Sequence, residues 1–271
     1  MVYSELPLLI QQALSIGAKF GYINKKIYLM HATSTCQSYK YELWNQLQSM
    51  RLIKPYSDPS FSKIYFYLSQ AAKSIVLAQG IVPVSKVNPV YFSHDNAVMK
   101  FALANESKAQ ILSDWQTEAS LRLLNNHKIY QLFGGQVAKF PDLLVNLNVS
   151  GQKIKIALEV ERSAKNQNRY DAFAIGYSKA KGVDLVLVAH GHKFTRDALL
   201  ISMRRIGYPR SVRPIAFCNL SEFIENPSKF HIEIEGHRIG FSEYIKNIQD
   251  LIHKNQLKVP ENDSGNNSGK I

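Results

Sequence analysis

The chain has 271 residues, 45% of them hydrophobic, and carries a formal net charge of +12. That is enough apolar material for one large or two smaller cores. No apolar run approaches the roughly 18 residues of a membrane span, and the opening MVYSELPLLIQQ lacks the basic start and long apolar core of a secretory signal. The basic excess is spread out: 8 basic against 3 acidic residues over 1–80, 8 against 5 over 81–155, and 17 against 13 over 156–271. An excess in every third points to a long polyanionic partner, nucleic acid first. The two cysteines, Cys36 and Cys218, sit in no CxxC or Cys/His spacing. They read as buried, inert thiols of a reducing compartment, with no zinc or disulfide framework.

Along the chain, LPLLIQQALSI (6–16) has apolar residues at helical spacing, and NKKIYLMHA (24–32) reads as a second helix. After the hydroxyl-rich TSTCQS comes a third helix over 37–50, whose Leu43, Trp44, Leu47 and Met50 form one apolar face. RLIKPY and SKIYFYLS read as short strands joined by a turn at Asp58 and Pro59. Three helices followed by a hairpin is the order of a winged helix-turn-helix. Residues 37–50 would then enter the major groove and 55–63 would form the wing. Gln37, Ser38, Tyr39, Lys40, Asn45 and Gln48 are the exposed positions expected to meet phosphates or base edges, with Lys54 and Lys63 flanking the wing. QAAKSIVLAQ (70–79) closes this expected DNA-binding domain over 1–80, and GIVPVSKVNPVYFS (80–93) reads as linking chain.

From His94 the pattern changes. HDNAVMKFALANES and DWQTEASLRLL both read as helices, the second with Trp115, Ala119 and Leu123 on one side. KFPDLLVNLNVSG and QKIKIALEVE read as strands joined by a tight turn at Ser150–Gly151. NRYDAFAIGYSKA is a helix, VDLVLVAHG a strand covered on both faces, TRDALLISMRRIG a helix and RPIAFCNL a strand. A helix over 220–226, a hairpin in FHIEIEGHRIGF and a terminal helix over 242–256 follow. The expectation is an α/β mixed-sheet domain over 81–258. A polar, disordered tail is expected over 259–271.

Four acids fall on elements that can converge: Glu118 on the helix before the sheet, Asp142 after Pro141 at a strand start, and Glu159 and Glu161 on the next strand. Strand alternation puts Glu159 and Glu161 on one face and Leu158 and Val160 on the other. Grouped carboxylates need a cation, and oxygen donors without histidine or thiolate suit Mg²⁺ or Mn²⁺. Lys165, just past the strand, would bring an ammonium to stabilise developing negative charge. His94 stands before a helix start, where it reads as a structural histidine before it reads as a cap or support of the site. Arg162 and Arg169 flank the acids, and a helix N-terminus at 168–170 would face phosphate. Lys193, Arg196, Arg204, Arg205, Arg210 and Arg213 stand against one acid, Asp197, as a candidate DNA backbone track.

FPDLLVNL followed by IALEVERSAK resembles the PD-(D/E)XK, restriction-endonuclease-like core. The third motif position, a lysine in that family, is Glu161 here, and Lys165 stands as a migrated substitute. MRLIKPY, YFYLS, SHDNAVMKFAL, DWQTEASLRLL, FPDLL and LEVERSAKNQNRYDAF together resemble the plasmid replication-relaxation family, which includes the MOBC relaxases, over residues 5–220. The resemblance implies a bacterial, cytoplasmic relaxase that binds a plasmid transfer origin and nicks one strand by metal-dependent hydrolysis, for conjugative mobilisation. It implies Asp142 and Glu159 as main metal ligands, Glu161 and Glu118 as further acids, and Lys165 as the catalytic lysine. An accessory DNA-binding protein and a coupling protein are the further partners of such a role. Two other readings stand beside it: a non-catalytic winged-helix DNA-binding accessory protein with a degenerate nuclease domain, and a transposon-type PD-(D/E)XK endonuclease.

Overall fold

The computed structural model describes residues 2–31, 36–85, 87–106, 112–135, 139–149, 152–209 and 214–256. The expected tail over 259–271, the turn residues Ser150 and Gly151, and Arg210 and Arg213 lie outside them.

The N-terminal part holds α1 (Leu8–Phe20), β1 (Ile23–Asn24), α2 (Lys25–His31), α3 (Gln37–Ser49), β2 (Ile53–Pro55), β3 (Tyr65–Leu68) and α4 (Gln70–Leu77). The strands form a three-stranded antiparallel sheet in the order β1-β3-β2, so the hairpin read from the sequence gains a two-residue third strand. α1 runs four residues past its expected end and stops at Gly21, whose φ of +79° only glycine adopts cheaply. A side chain there would also meet Val87. The apolar face of α3 is as expected: Leu43, Trp44 and Leu47 are buried. Asp58 makes the turn before β3, accepting from the Ser60 amide at 2.9 Å.

The larger part holds α5 (Phe92–Glu106), β4 (Leu112–Thr117), α6 (Glu118–Leu121), α7 (Asn126–Phe133), β5 (Leu143–Val149), β6 (Gln152–Glu161), α8 (Gln167–Lys179), β7 (Leu185–His190), α9 (Lys193–Ile206), β8 (Ile215–Asn219), α10 (Leu220–Glu225), β9 (His231–Ile234), β10 (His237–Gly240) and α11 (Phe241–Gln256). Seven strands make one mixed sheet in the order β10-β9-β8-β7-β6-β5-β4. It is antiparallel from β4 to β6, parallel from β6 to β8, and antiparallel again to β10. The α/β expectation holds.

One expected helix does not form. Asp114–Thr117 is the edge strand β4, with Trp115 and Thr117 buried and Asp114 exposed, and only Glu118–Leu121 is helical. The i, i+4, i+8 spacing of Trp115, Ala119 and Leu123 suggested a continuous face, but Leu123 is exposed. Pairing with β5 outweighs that pattern, because an added strand satisfies a full row of backbone groups. Thr117 then caps the short helix by accepting from the Ser120 amide at 3.1 Å. The further helix α7 was not anticipated. It packs where Gly182 donates to the Phe133 carbonyl, an approach that a Cβ at Gly182 would block.

The sheet has two unlike faces. Leu143, Val145, Leu158 and Val160 face a large apolar cluster that runs without a break from α5 into α1, α3 and the small sheet. Leu144, Ala157, Val186 and Val188 face a second cluster under α8 and α9. The segment 80–93 is bound into this assembly: the Val84 amide donates to the Ala18 carbonyl at 2.8 Å, and Phe92 stacks on Tyr65 with ring centroids 4.0 Å apart. Lys19 adds a buried tie, donating to the Trp115 carbonyl at 2.6 Å while lying over the indole ring. No helix among the described residues is long and apolar enough to cross a membrane.

Candidate metal and phosphate site

The antiparallel register of β5 and β6, Leu143 against Leu158, brings Asp142 alongside Glu159. Glu159 and Glu161 share a face of β6, as alternation requires, and both are buried, 1% and 4% exposed. Each carboxylate is held by a cation of the protein. Asp142 Oδ2 accepts from the Val160 amide at 2.7 Å and lies 3.1 Å from His94 Nε2. The other ring nitrogen of His94 lies 3.1 Å from Asp95 Oδ1. Glu159 takes the Lys139 ammonium on one oxygen and the Tyr177 hydroxyl on the other. Glu161 has the Lys165 ammonium 2.6 Å from Oε2 as an ion pair, outside hydrogen-bond angles. Glu118 pairs with Arg122 one turn along.

The electrostatics follow from burial and neighbours. Burial pushes the Glu159 carboxyl up to about 7, with Asp142 adding to the rise and Lys139 and Tyr177 only partly offsetting it. For Asp142 burial works in the same direction, but His94 and Lys139 outweigh it and hold the carboxyl below its usual range. Burial also opposes charge on His94, yet Asp142 and Asp95 raise it to about 10, so it is an imidazolium at neutral pH. Desolvation also works against charge on Lys139, a third exposed, but Glu159, Asp142 and Glu161 outweigh it and keep its ammonium charged.

These groups line one cleft of about 720 Å³ between α5, the β4–α6 corner and the ends of β5 and β6. His94, Asp95, Glu118, Lys139, Asp142, Glu159, Glu161, Lys165 and Arg169 all reach it. The five expected site residues therefore come together, and Arg169 joins them. Arg162 bonds Ser93 beside the cleft without lining it. Arg204 and Arg205 are exposed on α9 and do not line the cleft, and Arg205 is held by Asp171. In the N-terminal part, Gln37, Tyr39, Lys54 and Lys63 are exposed as expected. Lys40 is not: it is only 5% exposed, because it falls on the turn of α3 that faces the protein. Cys36 is exposed rather than buried, since it precedes α3 instead of packing under it, while Cys218 is buried.

Two members of the site escaped the sequence reading. Lys139 stands three residues before Asp142, and only the tertiary structure brings its ammonium onto Glu159. Tyr177 belongs to the inward stripe Tyr170, Phe173, Ala174, Tyr177 of α8, whose helical spacing announced a buried hydroxyl in need of a partner. His94, which the sequence placed as a structural histidine before a cap or support, is bonded directly to Asp142.

The donor set suits a hard divalent cation. Mg²⁺ is commonly held by one or two carboxylates, with water and substrate phosphate completing its shell. Asp142 and Glu159 supply such a pair, and Asp142 Oδ1 accepts no hydrogen bond among the described residues. No grouping of three or more His, Cys, Asp or Glu ligands occurs among those residues, which restricts the fit to this two-carboxylate kind. No protein-family model, curated protein or solved structure matches the chain.

Proposed function

We propose that the protein is a metal-dependent DNA endonuclease, a relaxase-type nickase of plasmid transfer origins, with a winged-helix part that binds duplex DNA and a PD-(D/E)XK-like part that cuts it. The observation that carries this reading is the convergence of Asp142, Glu159 and Glu161 with Lys139, Lys165 and Arg169 in one open cleft of a basic chain. Buried carboxylates grouped together and matched with cations are costly to assemble, and such groupings cluster at functional sites.

Asp142 and Glu159 would hold Mg²⁺ or Mn²⁺, with Glu161 and Glu118 as nearby acids. When bound, that ion supplies polarisation of the phosphoryl oxygen and a more acidic water. The remaining roles belong to the chain. The His94 imidazolium fixes Asp142 in its ionised form and orients its free oxygen. Tyr177 fixes Glu159 from beneath. Arg169 and Lys165 present positive charge to a phosphate entering the cleft. Hydrolysis adds water across one P–O bond and leaves one hydroxyl and one phosphate end. Exposed Gln37, Tyr39, Lys54 and Lys63 support the duplex-binding role of the N-terminal part.

A second reading rests on one observation: Lys139 already neutralises Glu159 and lies beside Asp142. A site sealed by its own ammonium would make the protein a DNA-binding accessory factor without catalysis. Supercoiled plasmid carrying a transfer origin, incubated with Mg²⁺ or Mn²⁺, separates the two. Open-circular product from wild type and none from Asp142→Ala is the expected result. Supercoiled DNA surviving with both metals, by a protein that binds the origin, establishes the accessory reading instead. Mapping of cuts to both strands would point to the transposon-type endonuclease.

A further inference from the structure

A second pocket lies in the N-terminal part, beside the apolar face of α3 and apart from the cleft described above. It encloses about 440 Å³ between α2, the start of α3 and the chain before β3. That volume lies in the ~300–1,000 Å³ range of small-molecule sites. Its lining divides by chemistry. Lys25, Lys26 and Lys63 bring three ammonium groups, and no carboxylate lines it among the described residues. Leu29, Met30 and Tyr41 bring an apolar and aromatic wall, with Met30 and Tyr41 about half exposed. Lys25 lies over the Trp44 ring at 5.6 Å, which steadies one ammonium against the core.

Met30, Tyr41 and Ile64, all exposed, thus share one concavity with three ammonium groups, an apolar surface beside a positive one. The ligand that satisfies both halves has a flat apolar body and a phosphate. We propose that this pocket takes one unstacked nucleotide of a DNA strand, its base against Tyr41 and Met30 and its flanking phosphates on Lys25, Lys26 and Lys63. The strand, rather than a free mononucleotide, is favoured by position. The pocket opens between Gln37 on α3 and Lys63 beside β3, two residues assigned above to duplex contact. Base-on-aromatic stacking contributes about 1–3 kcal/mol per base and tolerates any sequence. Such a pocket would let the protein prefer distorted or partly opened duplex. This inference rests on the DNA-binding reading of the N-terminal part.

The test is fluorescence anisotropy with the full chain and three probes: a paired duplex, the same duplex with one bulged nucleotide, and a fluorescent mononucleotide. Wild type should bind the bulged duplex about 10-fold more tightly than the paired one, equivalent to about 1.4 kcal/mol. Tyr41→Ala should bring that ratio close to one, and Lys26→Ala should reduce it. Both side chains are exposed, so neither truncation opens the core, and a thermal melt checks this. With 2-aminopurine at the bulge, wild type should change its emission and Tyr41→Ala should not. Equal binding of both duplexes by wild type overturns the pocket while leaving the DNA-binding reading intact. Binding of neither duplex overturns both. Tight mononucleotide binding that depends on Tyr41, without preference for the bulge, overturns the assignment to a DNA strand.

Discussion

The two faces of β6 make opposite use of the same alternation. On one face Leu158 and Val160 join a large hydrophobic cluster, held by dispersion and the exclusion of water. On the other, Ala157 packs under α8 while Glu159 and Glu161 carry charge into nearly the same degree of burial. The first face holds the molecule together. The second is tolerated only because Lys139, Tyr177 and Lys165 supply partners, and its Glu159 carboxyl is pushed up to about 7, a protonation change that the apolar face has no counterpart for. A strand can thus carry a core on one face and a buried charged cluster on the other, provided that the charged side is neutralised residue by residue.

The hardest way to break that contrast is to move an acid across the strand. Leu158→Glu places a carboxylate among apolar neighbours with no cation to meet it. It should cost more than about 4 kcal/mol and abolish the cooperative urea transition. The milder Leu158→Ala should cost about 2–5 kcal/mol and leave a measurable transition. On the charged face, Lys139→Met should lower stability by about 3 kcal/mol or less, since it strands Glu159 but removes a cation that is itself a third exposed. A larger loss than that of Leu158→Ala would show that the ion pair, rather than packing, anchors this end of the sheet.

Protonation sharpens the comparison. The Glu159 carboxyl titrates near 7 when folded, against an ordinary value of 4.5, so the folded state binds this proton more tightly than the unfolded one. Its contribution to stability is therefore best below about 4.5 and declines as pH rises through 7. Glu159→Gln should gain on wild type across that window and hold its advantage above it, measured by urea midpoints at pH 5 and 8, while losing the DNA cleavage proposed above. His94 works in the adjoining window. Its folded value near 10, against 6.5, gives stabilisation that is complete below 6.5 and gone above 10. His94→Asn should lose most at pH 6, with the gap to wild type closing as pH approaches 10. At the small end, Arg205→Ala removes a half-exposed pair with Asp171 and should cost no more than about 1 kcal/mol. Its effect on DNA affinity reports whether α9 contributes to a backbone track.

Much of this architecture was legible in local pattern. The apolar runs of β7 and β8, the helical stripe of α3 and the alternation of β6 depend on neighbours a few residues apart, and sequence displays those directly. The pairing of Asp142 with Glu159 was also accessible, because a hairpin fixes its own register. β4 was not, since whether Trp115 lies on a strand or a helix is settled by the free edge of β5, which lies about 30 residues away along the chain. Lys40 is a different case: it stands three and four residues before Leu43 and Trp44, on the helical stripe that packs inward, so its burial follows from spacing despite its polar character.

The chain alone thus fixed the residue types, the shared face of Glu159 and Glu161, and the basic character of the whole molecule, because composition and strand alternation are local properties. Folding decided which cation answers which acid. Lys139 with Glu159, His94 with Asp142 and Lys165 with Glu161 join residues 20, 48 and 4 apart, and only the last of these spacings is visible as a motif. Partner choice at the longer distances depends on where separate elements meet, and that follows from burying two apolar clusters on either side of one sheet.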